Sequence, residues 1–171
     1  MLKSDLEEIA SRLGSHVHEL AGKTVVLTGG RGFLGRYFVD LFEILNTKIL
    51  EKPLRLVVLD NLITSGDYVS TLSKSKHIEF IVHDVIQPFN FNDPVHYVIH
   101  AAGIASPFYY RAYPLETLEV AILGTKNMLS LAQQKGARFT FFSSSEIYGD
   151  PDPQHIPTRE SFCNCTGRKI G

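Results

Sequence analysis

The sequence predicts an α/β protein built on a doubly wound parallel sheet, and three observations carry that prediction. Short apolar runs alternate with stretches of helical periodicity along the chain. Most of those runs are continuous rather than alternating, the pattern of strands buried on both faces of a parallel sheet. The first run, Thr24-Val25-Val26-Leu27, leads directly into glycines at 29, 32 and 35 and then into an apolar helical pattern from Tyr37 to Leu45. Strand, glycine turn and helix in that order is the context in which a phosphate-binding turn works.

Taken in order, residues 4–20 place Leu6, Ile9, Leu13, Val17 and Leu20 at spacings of three and four. That spacing predicts an amphipathic helix capped by Ser4 or Asp5, packed on the sheet edge or on a partner. Strands are expected at 23–28, 54–60, 78–83, 95–101 and 138–143. Helices are expected at about 33–46 and 115–135, the second with Leu118, Ile122, Met128, Leu129 and Leu131 on its apolar face. A looser segment at 66–76 reads as a short helix. The layout β-α-β-(α)-β-β-α-β implies strand order 3-2-1-4-5, with the fold incomplete at its C-terminal side. This divides the chain into an N-terminal helix at 1–21, a nucleotide-binding domain at 22–150 and a tail at 151–171.

A length of 171 residues suffices for one substantial core, and 44% apolar with 20% charged residues is ordinary for a soluble protein. A net charge of −1 offers no basic field for nucleic acid. No apolar run reaches the roughly 18 residues of a membrane span, and the N-terminus has no secretory pattern. Neither nucleic acid nor a membrane is an expected partner, and a cytoplasmic location is expected. Cys163 and Cys165, one residue apart, are too few for a zinc site and read as reduced thiols. The seven histidines lack metal-ligand spacing and read as surface or packing residues.

The chemistry concentrates at the ends of the expected strands. Gly29 permits a tight turn, Gly32 lets backbone N–H groups approach a pyrophosphate, and Gly35 lets helix and strand pack closely. The phosphate charge would sit at the helix N-terminus, beside Phe33 and Leu34. Asp60 ends the second strand 25 residues after Gly35. A carboxylate there accepts from the ribose hydroxyls of an adenosine and repels a 2′-phosphate, which favours NAD. Asp84 can accept from the adenine amino group, with Val85 against the ring. Ala101, Ala102 and Gly103 are small enough for a cofactor to pass close to the backbone. Ser143-Ser144-Ser145 is a polar strand end at the rim where open α/β sheets bind ligands. Tyr109, Tyr110 and Tyr113 either line a substrate mouth or pack on the sheet.

These motifs together resemble the extended short-chain dehydrogenase/reductases, the NAD-dependent nucleotide-sugar epimerases, dehydratases and decarboxylases with a Rossmann-type sheet. Thr28-Gly29-Gly30-Arg31-Gly32-Phe33-Leu34-Gly35 matches the family's glycine turn, and Asp60-Asn61 its acidic strand end. His83-Asp84-Val85 matches the adenine site and His100-Ala101-Ala102-Gly103 the fourth-strand turn. Gly124-Thr125-Lys126-Asn127-Met128-Leu129 matches the GTxNxL helix, and Ser143 to Asp150 the fifth strand. Within the family, His83 to Pro88, Ala105-Ser106-Pro107 and Glu146 to Pro151 resemble the UDP-glucuronate decarboxylases. The resemblance implies NAD as cofactor and a nucleotide sugar, a UDP-sugar first, as substrate of the full-length parent. It implies that Ser144 donates a hydrogen bond to the hydroxyl oxidised at C4 and that Glu146 is an acid/base near the sugar. It also implies a homodimer through helix 115–135.

Four departures qualify those implications. Ser145 stands where the dehydratases carry the aspartate of an acid–base pair, which disfavours dehydration. Ala102-Gly103 replaces the Ser-Pro typical of decarboxylases, and Val120-Ala121 replaces the usual Thr-Asn. Most importantly, none of the tyrosines at 37, 68, 97, 109, 110, 113 and 148 is followed four residues later by lysine. The family's Tyr-x-x-x-Lys pair is thus absent, and the departure of Arg168-Lys169-Ile170-Gly171 from the family pattern reads as truncation. The expectation is a chain that binds NAD without turnover, of an enzyme lineage. The alternative is a non-catalytic NAD-binding or regulatory module, or a gene fragment.

Overall fold

The computed structural model describes residues 3–64 and 75–162. They fall into two compact units, residues 1–141 and 142–171. The segment expected at 66–76 lies outside the described residues but for its last two positions, and Cys163, Cys165 and the last residues of the tail lie outside them entirely.

The first unit contains the five-stranded sheet, β1 (Thr24–Thr28), β2 (Arg55–Asp60), β3 (Ile78–Val82), β4 (Tyr97–His100) and β5 (Arg138–Phe141). Its order is β3-β2-β1-β4-β5 with every neighbouring pair parallel. The predicted order is therefore the observed one. In the central register Val26 lies beside Val57 on one side and Val98 on the other. Alternate residues feed opposite faces, as the two-residue repeat of a strand demands. Val25, Leu27, Leu56 and Val58 enter one cluster with the residues of α2 (Phe33–Lys48), notably Val39, Leu41, Phe42 and Leu45. Val26, Val57, Leu59 and Val98 enter the other with Met128, Leu131 and Ala132 of α5 (Thr125–Lys135). Continuous apolar runs at β1 and β2 are thus consumed on both faces. The same expectation fails at the edges: β3, and above all β5, keep exposed positions because the cover there is partial.

The N-terminal helix is shorter than its periodicity predicts. α1 ends at Leu13, and Gly14 at φ +55 turns the chain into a 3-10 segment, Gly14–Leu20. Glycine accepts that left-handed backbone without a Cβ clash. The helix is already formed at Lys3, so Ser4 and Asp5 sit inside its first turn and neither caps it. Within the chain its packing partner is α2. Leu6 and Val17 join the α2 cluster, the Tyr37 hydroxyl donates to Asp5 Oδ2 at 2.9 Å, and Lys48 pairs with Glu7 at 3.7 Å. The bond to a carboxylate holds the Tyr37 hydroxyl above the usual phenol range.

The second long helix differs more. A separate helix, α3 (Pro107–Ala112), precedes it, and the rod itself runs as α4 (Pro114–Glu119), a π-helical turn (Val120–Gly124) and α5. Its buried residues are Val120, Gly124, Met128, Leu131 and Ala132, whereas Leu118 and Ile122 are 57% exposed and Leu129 is exposed too. The predicted apolar face is therefore correct at Met128 and Leu131 and wrong at Leu118, Ile122 and Leu129. Apolar residues occupy two stripes of this helix, and the wide π turn resets the phase between them. No described helix is long and apolar enough to cross a membrane.

In the second unit, Ser145–Tyr148 and Pro153–His155 form short 3-10 turns. The strand expected to reach 143 stops at Phe141.

Candidate functional site

The carboxyl ends of β1, β2, β3 and β4 converge on one cleft. Open parallel sheets bind ligands at this rim because the strand order reverses there and adjacent loops part. The turn after β1 forms the first wall. Gly29 has φ +68, donates its N–H to Leu59 O at 2.8 Å and accepts from Gly32 N at 3.0 Å. A Cβ on Gly29 would stand 2.7 Å from Ala101 O, and one on Gly35 would stand 2.1 Å from Gly29 O. The turn can exist only with hydrogen at both positions. Gly32 lines the cleft and precedes α2, so the amino end of that helix adjoins a volume open to an anion.

The acidic wall is held by the backbone. Asp60 Oδ2 accepts from Arg31 N at 2.9 Å and Oδ1 from Leu62 N at 2.9 Å. The carboxylate thereby ties the glycine turn to the end of β2. Leu62 takes a left-handed φ of +66 to make its bond, a strained position of the kind that clusters at ligand sites. The Arg31 guanidinium lies over the Phe80 ring, 5.5 Å from its centroid. Asp84 Oδ2 accepts from Asn61 Nδ2 at 3.0 Å and Oδ1 from Ile86 N at 3.1 Å. Val85 lines the cleft but is only 4% exposed, so most of its side chain serves the core.

The floor is fixed by a buried polar link between strand ends. Ala102 N donates to Thr28 Oγ1 at 3.0 Å, and Thr28 Oγ1 and His100 Nδ1 share a hydrogen bond of 2.7 Å. His100 is buried, and its Nε2 has no hydrogen-bond partner among the described residues. The His100 ring stacks on Phe141 with centroids 5.9 Å apart. Burial lowers its pKa to about 4, because charging the ring there loses hydration without gaining an anion. The imidazole is neutral at physiological pH, and the link between β1, β4 and the turn at 101–103 stays intact.

Nine sequence-predicted residues thus meet at one cleft: Gly29, Gly32, Asp60, Asn61, Asp84, Val85, Ala101, Ala102 and Gly103. Phe33 and Leu34 do not line it. They open α2 with their side chains turned outward, Phe33 68% exposed, while Gly35 lies behind the turn as its packing point. Ser144 and Glu146 belong to the second unit, both exposed, where Ser144 Oγ caps a 3-10 turn by accepting from Glu146 N at 3.3 Å. The structure adds Glu116 and Glu119 from the α4 wall, residues that no motif marked, and Val120 from the π turn, marked in the sequence only as a departure from the family's Thr-Asn. It also gives Asn127 a function: its Nδ2 donates to Val85 O and Ile86 O, each at 2.9 Å. Its place in the GTxNxL match was the signal for it. Tyr109 sits on α3, edge-on to Phe108 with ring centroids 5.2 Å apart. Among the described residues no cluster of histidine, cysteine and acidic side chains could hold a metal.

A cradle closed to any Cβ beside a carboxylate and a small-residue strand end fits an adenine dinucleotide. Comparison with known proteins agrees. The profile of the NAD dependent epimerase/dehydratase family matches residues 25–166. UDP-glucuronic acid decarboxylase 1 of Arabidopsis thaliana is 38% identical over 139 residues, covering 81% of this chain and 29% of that protein. The chain spans about a third or less of the curated relatives it matches, between 27% and 35%. A UDP-galactose 4-epimerase crystal structure superimposes with a TM-score of 0.62 at 28% identity, over 81% of this chain and 43% of that one. The UDP-glucose 4-epimerase of Thermus thermophilus, solved in complex with NAD, gives 0.54 at 27% identity over 76% and 40%. On its sequence, its strand order and its glycine turn alike, the chain belongs to the NAD dependent epimerase/dehydratase family.

Proposed function

We propose that this chain is the NAD-binding part of a nucleotide-sugar-modifying enzyme, with the binding domain at 22–150 and the tail at 151–171 leading toward a catalytic segment. The observation that carries the reading is the meeting of Gly29, Gly32, Asp60, Asp84 and Ala101–Gly103 at one cleft. The turn at 29–32 receives the pyrophosphate, and Asp60 accepts from the ribose. Asp84 faces the adenine end, and the 101–103 turn lets the nicotinamide side pass. NAD, when bound, supplies the hydride acceptor for oxidation at C4 of a UDP-sugar. Ser144 is proposed to donate a hydrogen bond to that C4 oxygen, and Glu146 to move a proton near the sugar. Decarboxylation is the favoured outcome, from the likeness to UDP-glucuronic acid decarboxylases; epimerisation is second, and Ser145 argues against dehydration.

The 171 residues hold no Tyr-x-x-x-Lys pair, so the base that takes the C4 hydroxyl proton has to come from elsewhere. This favours, for the chain by itself, binding without turnover. The exposed stripe of Leu115, Leu118 and Ile122 on α4 and the π turn supports a homodimer.

Titration calorimetry with NAD and with its 2′-phosphorylated form tests the reading. NAD binds and the phosphorylated form binds at least tenfold more weakly, because Asp60 repels its extra charge. An absence of NAD binding at millimolar concentration defeats the proposal. Carbon dioxide release from UDP-glucuronate and NAD by the 171 residues alone defeats the part about turnover.

A further inference from the structure

We infer that Asn127, which lies outside the cleft on α5, is a positioning residue for the adenosine end of the cofactor; the inference rests on reading the cleft as an NAD site. Its carboxamide has two N–H donors and one heavy atom to carry them, and that nitrogen reaches both Val85 O and Ile86 O at 2.9 Å. Both bonds exist only for one curvature of the loop that follows β3. Gly124, in the π turn that leads into this helix, lets that loop come close: a Cβ there would stand 2.8 Å from Val85 Cγ2. The loop is held to the helix by two bonds, at a closeness that glycine at 124 permits.

Ile86 passes this constraint to the cleft. Its carbonyl is held by Asn127 while its N–H donates to Asp84 Oδ1 at 3.1 Å. The second oxygen of Asp84 accepts from Asn61 at 3.0 Å, next to Asp60. The direction of the Asp84 carboxylate is therefore set from the helix. Alanine leaves a part-buried carbonyl pair without this donor, aspartate sets a negative charge against two carbonyl oxygens, and glutamine is one methylene longer. The π turn at 120–124 is part of the same device, since it brings Val120 to the cleft wall and Gly124 to Val85. Such turns concentrate at functional sites.

The test uses the 171-residue chain and calorimetric affinities for NAD and for AMP, which carries the adenosine end alone. Asn127→Ala weakens both by the same factor, roughly tenfold, the order of a net hydrogen-bond contribution. Gln134→Ala, an exposed change on the same helix, leaves both unchanged. With Asp84→Asn in place, Asn127→Ala costs little further, because the carboxylate through which it acts is gone. A purely structural role instead gives independent, additive losses. If Asn127→Ala does not fold, the unaltered chain decides: the Asn127 side-chain amide protons shift and exchange more slowly when AMP binds. Unchanged AMP affinity in Asn127→Ala, full additivity with Asp84→Asn, or amide protons indifferent to AMP overturns the inference. Failure of the unaltered chain to bind either nucleotide overturns the cleft reading, and the inference with it.

Discussion

The two flanks of the sheet are built to different standards. Around β1, β2 and α2 every apolar side chain of the strand cores is buried, and glycine turns pack backbone on backbone. Around α4, the π turn and β5, Leu115, Leu118, Ile122, Leu129 and Phe141 face outward. The first flank closes on itself because α1 and α2 supply its cover; the second presents apolar surface with no cover from the first unit. The difference separates two tasks. Shaping a nucleotide cleft needs rigid, dry packing under the turn. Meeting another surface needs apolar area left outside.

The largest effect should come from the closed flank. Gly35→Ala forces a Cβ to 2.1 Å from Gly29 O, with backbone rather than a flexible side chain in the way. The loss is expected to exceed about 3 kcal/mol in urea denaturation. Leu129→Ala, on the open flank, should cost less than about 1 kcal/mol in the same experiment. Equal losses would erase the distinction. Next in size is association through the open stripe. Leu118→Glu combined with Ile122→Glu should weaken self-association at least tenfold, about 1.4 kcal/mol, in sedimentation equilibrium. A chain that is monomeric at every concentration has no such dimer.

The last effect appears only on acidification and concerns His100, where the two flanks meet. Its folded pKa of about 4 lies below the ordinary histidine value of 6.5. Between these values the unfolded chain binds the proton and the folded one does not, so stability falls as pH drops from about 6.5 to about 4. Above 6.5 both states are neutral and the contribution is flat. The melting temperature of the unaltered chain should show this slope, and His100→Gln should flatten it. An equal slope in both proteins would assign it to other groups.

The sequence was most legible where one requirement decides one residue. The strand order follows from apolar runs and helical spacers, and the meeting of Gly29, Gly32, Asp60 and Asp84 follows from their strand-end positions. It was least legible where two solutions satisfy the same pattern. Apolar residues cover most of the circumference of 115–135, so periodicity alone selected Ile122 and Leu129 when packing selected Val120 and Gly124. A π turn leaves no compositional mark. Gly14 stopped a helix whose spacing continues through Val17 and Leu20. Glu116 and Glu119 reach the cleft only because α4 is placed there by the whole fold.

The bond between Thr28 and His100 spans 72 residues, and this has a consequence for how the protein is made. β1 finds its first neighbour, β2, after a short interval, but its second edge waits for Tyr97 to His100. At the usual 5–20 residues per second of synthesis, roughly 4–14 s pass between Thr28 and His100. During that interval β1, which is buried throughout in the folded protein, carries an open edge, the form in which nascent chains stick to one another. The histidine that completes the floor of the cleft therefore belongs to the strand that ends the chain's most vulnerable moment on the ribosome.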